Sequence, residues 1–447
     1  MACDNRNSKI ETRNFGSRLF ARRTEWPLEP NALSRAVADR KEQGLPLLDL
    51  TESNPTRSGF NYDSSAILRA LVKPAALLYH PDAHGPLGAR EAVAAYYAER
   101  GVSLDPSQIL LTASTSEAYS YLFRLLADSG DSVLVPRPSY PLFDFLAGLN
   151  DLEIIPYPLV YDDGWRIDLD ELAVSVKRAD RTLHVPRAIV VVHPNNPTGS
   201  FVRAPEQEAL VELCRRHNLV LIADEVFADY ALPANGPAGQ HLAPGAGQPG
   251  VASKLLTHAG LNQILTFTLN GLSKISALPQ MKLAWIAVSG PAEARSCAIE
   301  RLEIIADTYL SVSTPVAAAL PELLETRRAI QPQIIARLQD NLAELDWQLG
   351  SASCVTRLKV QGGWYVVLQL PVADREGPLG QGTAAPREYS DDDFAAELAR
   401  QEGVLVHPGH FYEFSSDSCL VLSLITPAEL FAEGLRKLLH HANVAAR

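Results

Sequence analysis

Residues 268–290 read TLNGLSKISALPQMKLAWIAVSG. An apolar run, LTFTL, enters as a β-strand. A Gly-Leu-Ser-Lys turn follows, then a Leu-Pro break and a second apolar run. Lys274 stands at the turn with Ser273 and Ser276 beside it. A lysine on an exposed helix is a solvated charge. One on a tight turn between two buried strands is placed where its amine can do chemistry, because lysine can both form a Schiff base with a carbonyl and, once displaced, carry a proton. A surface lysine on a loop is the plain alternative, so the surrounding pattern has to decide.

That pattern repeats. ILLT (109–112) is a strand, and ASTS (113–116) opens a helix with small residues, a geometry that offers backbone N–H groups to an anion. Ser and Thr are also ordinary N-caps. VLVP (133–136) is a second strand, with Ser139-Tyr140 just beyond it. AIVVVHPNNPTGS (188–200) and LVLIADEVF (219–227) begin as continuous apolar strands, the kind buried on both faces of a parallel sheet, and end in polar residues. Strand, turn, helix and strand alternate from about residue 108 to 290, which predicts an α/β domain with a mainly parallel sheet. Ligands of such sheets bind at the carboxyl ends of the strands. Asn196, Asp224, Lys274, Ser114–Ser116 and Ser139-Tyr140 all fall there.

Around this core the chain predicts a polar arm over 1–25 and a helix after Pro27 closed near Gly44. A strand runs into the Asn54-Pro55 turn, helices follow near 64–78 and 89–100, and Tyr79 precedes a Pro/His/Gly loop. Residues 231–262 are a Gly/Pro-rich excursion that reads as a surface flap. After Gly290 come helices over 292–307 and near 315–350, a hairpin about Gly362-Gly363, a second Pro/Gly loop over 371–390, and a closing helix.

The chain has 447 residues, 47% hydrophobic and 21% charged, enough for two domains. Forty basic against 52 acidic residues, a net charge of −12, argue against nucleic acid as a partner. No run of about 18 apolar residues is present to span a membrane, and the first forty residues lack a signal peptide's apolar region. The five cysteines are odd in number and lack metal spacing, which reads as reduced thiols in a cytoplasm. His80 with His84 and His407 with His410 lie in Pro/Gly loops without matching carboxylate or thiol partners, so no metal site is read there.

Asp224, a carboxylate at the end of a buried strand, needs a cationic partner or a proton. A protonated pyridine nitrogen suits it, and so does a helix cap or local salt bridge. With Asn196 one strand away, the Tyr140 ring at a strand end, Lys274, and a small-residue helix N-terminus, these are the parts needed to hold a flat, anionic, aldehyde-bearing ring.

In the order and spacing of HPNNPTGS, IADEVF and GLSKISALPQMK, the chain resembles the class I/II aminotransferases, fold-type-I pyridoxal-phosphate enzymes, over about residues 26–445. The resemblance implies an α/β fold: a large domain, 76–315, with a mainly parallel seven-stranded-type sheet sandwiched by helices, and a smaller α+β domain from 26–75 and 316–447. It implies pyridoxal 5'-phosphate as cofactor and a homodimer with shared active sites. Lys274 would form the Schiff base and shuttle the proton, and Asp224 would pair with the pyridinium. Asn196 would donate to the phenolate oxygen, and Tyr140 would stack on the ring. Thr115, Ser116, Ser273 and Lys282 would hold the phosphate, with the partner subunit's Tyr79.

The departures from that family are specific. Phe227 stands where the family has a tyrosine, Gly271 where it has a phosphate-binding serine, Lys282 where it has an arginine, and Ser114 where it often has glycine. Val421, in LVLSL, stands where an arginine grips the substrate carboxylate. Candidate substitutes for that anchor are the backbone near Ser53-Asn54 and His410. The first functional expectation is amino transfer between an L-amino acid and a 2-oxo acid. A lyase or decarboxylase on the same cofactor, and a non-catalytic cofactor-binding regulator, are the alternatives.

Overall fold

The computed structural model describes residues 19–26, 28–179, 184–233, 256–310, 312–350, 353–371, 390–416 and 418–445. Most of the predicted N-terminal arm and of both Gly/Pro-rich loops therefore lies outside the described residues.

Eight strands form the large sheet: β1 (Ile109–Thr112), β2 (Ser132–Arg137), β3 (Glu153–Tyr161), β4 (Trp165–Ile167), β5 (Pro186–Val192), β6 (Val220–Asp224), β7 (Thr266–Gly271) and β8 (Ala284–Ser289). Their order is β1-β8-β7-β6-β5-β2-β3-β4. The run β7-β6-β5-β2-β3 is parallel throughout. β8 runs against both its neighbours, and β4 turns back on β3 as a short edge strand, an eighth added to the expected seven.

The continuous apolar runs mean what they predict, because both faces of the sheet are covered. Val133, Val135, Val190, Ile222, Phe267 and Ile286 share one core with the helices Thr115–Leu126 (α1), Leu142–Leu149 and Ala292–Tyr309. Leu134, Ile189, Val191, Leu221 and Ala223 alternate with them and share another with Leu169–Ala179 and Ala204–His217. Alternation along each strand assigns neighbours to opposite faces, so Asp224 shares the face of Ile222 and looks toward α1.

Two helix expectations are corrected, one by a proline and one by a break at Thr326. The helix expected over 64–78 stops at Leu71, since Pro74 disfavours helical backbone at Lys73, and a 3₁₀ turn Pro74–Leu77 follows. The long helix near 315–350 is two, Thr314–Glu325 and Arg327–Leu349.

A four-stranded antiparallel sheet, in the order Thr356–Arg357, Tyr365–Gln369, Cys419–Ser423, His407–Pro408, forms the second unit. It shares its core with Arg327–Leu349, Ala428–Ala445 and Leu50 of the N-terminal segment. Leu48–Asp49 pairs in parallel with Val404–Leu405, which binds that segment to the C-terminal unit.

The two units meet along a backbone seam. Leu232 N–H donates to Gln361 O (2.8 Å), Gly363 N–H to Tyr230 O (2.9 Å) and Gln361 N–H to Gly199 O (3.2 Å). Gly362 makes this approach possible: a Cβ there would stand 2.6 Å from the Phe201 ring and 2.7 Å from Tyr230 O.

Candidate active site

Lys274 lies in a single helical turn, Leu272–Ile275, between β7 and β8, two strands buried along their whole length. Its Nζ sits 4.4 Å from the Trp364 ring centroid and 5.2 Å from that of Phe227. Its main-chain carbonyl accepts from the Tyr230 hydroxyl at 2.6 Å. Burial drives the amine down from 10.5 to about 8, against the pull of the Asp224 charge. A substantial neutral fraction near neutral pH is what a nucleophilic amine requires.

Asp224 closes β6 and is 9% exposed. Its Oδ2 accepts from the Tyr119 hydroxyl at 3.1 Å and its Oδ1 from Val226 N–H at 3.1 Å. Desolvation outweighs both bonds and Lys274, and the carboxyl rises from 3.8 to about 6. A buried carboxylate so placed is short of positive charge, which is a fit for a pyridinium nitrogen. Next to it Glu225, also buried, accepts from Thr257 Oγ1 (2.6 Å) and His258 N–H (2.7 Å). His193 at the end of β5 accepts from Val202 N–H (2.9 Å). These bonds fix the ends of β5 and β6.

Asn196 is buried, and its amide Oδ1 has no hydrogen-bond partner among the described residues. A buried amide is rarely left so; Oδ1 itself calls for a donor, and a ring oxygen would be met by the amide's Nδ2. α1 starts at Thr115. The Ser114 hydroxyl caps Glu117 N–H (3.1 Å) and the Glu117 carboxylate takes Ala113 N–H (2.6 Å). The N–H groups of Thr115 and Ser116 have no recorded acceptor among the described residues, and they form the first turn of a helix, where an anion is favoured. Ser273 sits in the Lys274 turn, and Lys282 holds a left-handed conformation at φ 51° before β8. These residues fit a phosphorylated pyridine aldehyde.

Gly271 replaces the expected serine for a steric reason. Its φ of 179° suits any residue, but a Cβ there would stand 2.8 Å from Ala284 Cβ and 2.9 Å from Ala284 Cα. Gly271→Ser should therefore destabilise the apoprotein by about 1–3 kcal/mol without restoring a phosphate contact. Urea unfolding of the apo form measures the first, and cofactor dissociation the second.

Tyr140 is 38% exposed beyond β2, consistent with a ring that covers an open site. Tyr79 is 70% exposed and makes no hydrogen bond among the described residues. Asn54 N–H is held by Glu52 (2.8 Å), and Ser53 hydrogen-bonds the Tyr365 phenol. The His410 ring is drawn elsewhere: its Nδ1 lies 3.7 Å from Asp391 and its Nε2 3.4 Å from Asp392, at the start of the helix Asp391–Gln401. Val421 is buried in the second unit's core.

Motif reading does not reach Tyr119, Trp364, Tyr365 or Tyr412. Tyr119 carries a signal, since i and i+4 share a helix face and it follows Thr115 by four. The other three come from strands and turns 90 residues or more beyond Lys274, which local pattern cannot place.

The description "Aminotransferase class I and II" covers the family model that matches residues 47–438. The chain is similar to the glutamate–pyruvate aminotransferase of Haemophilus influenzae, 27% identical across 86% of this chain and 88% of that one. It is also similar to the arginine–pyruvate transaminase of Pseudomonas aeruginosa, at 27% across 92% and 93%. Among solved structures, an Escherichia coli aminotransferase superposes with a TM-score of 0.74 at 23% identity, over 94% of this chain and 99% of its own. A single mutant of the Thermus thermophilus aspartate aminotransferase gives 0.72 at 22%, over 94% and 99%. The fold is theirs, and with the family model matched along most of its length the chain belongs to the class I and II aminotransferases, a transaminase that uses pyridoxal 5'-phosphate.

Proposed function

We propose that this transaminase moves an amino group between an L-amino acid and a 2-oxo acid, and that Lys274 Nζ is its covalent attachment point for the cofactor. One observation carries the reading: a buried lysine amine, lowered to about 8, shares its pocket with a buried carboxylate raised to about 6. Burial pushes the amine toward its neutral, nucleophilic form and leaves the carboxylate short of positive charge, which suits each to a different part of one ligand. Bound pyridoxal phosphate would supply an aldehyde carbon and an electron sink.

The chain's own residues then divide the work. Asp224, oriented by Tyr119, would hold a proton on the ring nitrogen. Asn196 would bond the ring oxygen, and Tyr140 would cover the ring and exclude water. Thr115, Ser116, Ser273 and Lys282 would bind the phosphate, joined by the partner subunit's Tyr79 in a homodimer. Once displaced, Lys274 Nζ would take the proton from the substrate Cα and deliver it to the carbon that had carried the aldehyde. The backbone at Ser53 and Asn54 and the second unit, from residue 316 on, would close over the substrate. No helix among the described residues is long and apolar enough to cross a membrane, and the scattered thiols support a cytoplasmic place in amino-acid metabolism.

The test is absorption spectroscopy of the holoenzyme as L-amino acids are added singly, followed by pyruvate, which the names of both relatives put first among acceptors. A donor that discharges the lysine-bound cofactor band to the pyridoxamine form, with pyruvate restoring it, is the expected result. A donor that yields ammonia or carbon dioxide without the pyridoxamine form would replace amino transfer with lyase or decarboxylase chemistry.

A further inference from the structure

The face of the second sheet that looks back at the site carries hydroxyls where a cation would be expected. Directly paired residues of antiparallel strands share a face. Tyr365 pairs with Ser423, Val367 with Val421, and Val421 in turn with His407. The Ser423 hydroxyl donates to Glu52 O at 2.6 Å, which turns this face toward the Thr51–Asn54 segment. The Tyr365 ring packs 6.2 Å from Phe227, whose own ring lies beneath Lys274 Nζ. Tyr412 joins from the turn after His407. Its carbonyl accepts from Ser139 N–H at 3.0 Å, next to Tyr140, and its ring stacks on His407 at 5.8 Å.

Each phenol is backed by a neighbour. Ser53 hydrogen-bonds Tyr365, and His407 Nδ1 lies 3.0 Å from the Tyr412 hydroxyl. In the tautomer that places the proton on Nδ1, His407 donates to Tyr412, and a phenol that receives a hydrogen bond from behind keeps its own proton for an acceptor in front. Burial holds both phenols un-ionised and His407 neutral, at about 4. The charged or titratable neighbours felt by Tyr365 and Tyr412 are Tyr140, Glu52 and, for Tyr412, Tyr365. Among the described residues these neighbours include no lysine or arginine. Glu52 is already engaged by Asn54 N–H. Arg137, two residues before Ser139, bonds Glu413 through Nε and Asp144 through Nη2, and its buried Nη1 has no partner among the described residues.

We infer that the carboxylate of the amino-acid substrate is received by the neutral hydroxyls of Tyr365 and Tyr412, positioned by Ser53 and His407, in place of a guanidinium. This rests on the amino-acid reading above. It makes a distinct claim: without a formal charge at the anchor, the site should tolerate loss of the carboxylate, which unpairs two hydroxyls and strands no buried cation.

The probes are 2-methylalanine, which has no Cα proton to lose, and isopropylamine, the same molecule without the carboxylate. Both are titrated into holoenzyme and followed by the change in cofactor absorption. The wild type should bind the acid about 10²-fold more tightly than the amine. Tyr365→Phe and Tyr412→Phe should each cut acid binding about 10-fold and leave amine binding within about 2-fold. Thermal unfolding of each variant checks that it is folded. Folded variants that keep the full acid preference would overturn the inference, as would a wild type with no preference for the acid. A wild type that binds neither probe although its lysine-bound band is intact would overturn the amino-acid reading itself, and the inference with it.

Discussion

Lys274→Ala should lower transamination by about 10⁴-fold or more, because covalent attachment and proton transfer at Cα are lost together. Borohydride treatment of wild-type holoenzyme should leave the cofactor bonded to the peptide that carries Lys274, and the same treatment of the variant should leave the chain unmodified. Lys274→Arg is the sharper control. It preserves a cation that can stack on Trp364 and Phe227, but a guanidinium is never deprotonated in a protein and has no amine to offer. If the function of residue 274 were a cation–π contact, the arginine variant would keep activity. We expect it to be as inactive as the alanine variant, and activity above about one part in 10² would remove Lys274 from the chemistry.

Asp224→Asn should separate stability from catalysis. In the apoprotein, Asp224 is raised from 3.8 to about 6, chiefly by desolvation. The native state therefore binds more proton than the unfolded state between those values. This contribution to stability is full below about pH 4 and lost as pH rises through about 6. At pH 7 the buried charge costs up to about 3 kcal/mol, taking the whole shift. Asparagine keeps the shape and carries no charge, so the apo variant should be more stable than wild type at pH 7, with the advantage shrinking as pH falls toward 4. Activity should go the other way, down by about 10²–10⁴-fold, since a neutral amide cannot hold a proton on the ring nitrogen as a carboxylate does. Urea unfolding from pH 4 to 8 and steady-state rates on the same preparation decide it. A variant less stable at pH 7 and fully active would sink both halves.

The part of the site that is legible in the sequence sits at strand ends. Asn196, Asp224 and Lys274 follow apolar runs whose length and flanks announce doubly buried strands, and a polar residue at such a terminus has few reasons to be there. Helix lengths are less legible, as the stop at Leu71 shows: its cause is one proline three residues on. The aromatic wall is not legible at all. Trp364, Tyr365 and Tyr412 read as core aromatics in their own stretches, and only the packing of Trp364 and Tyr365 against Phe227 and the bond of Ser139 N–H to Tyr412 O give them a role. Gly271 reads as an ordinary turn glycine until the closeness of Ala284 is seen.

The seam between the units has a mechanical consequence. Tyr230 is bonded at both ends: its carbonyl accepts from Gly363 of the hairpin, and its hydroxyl donates to the carbonyl of Lys274. A single side chain thus links the hairpin to the main chain of Lys274. If substrate drew the hairpin inward, Trp364 and Tyr365 would move with Gly363, and the same displacement would reach Lys274 through one phenol ring. Closure of the cleft and the setting of the amine would then be one movement.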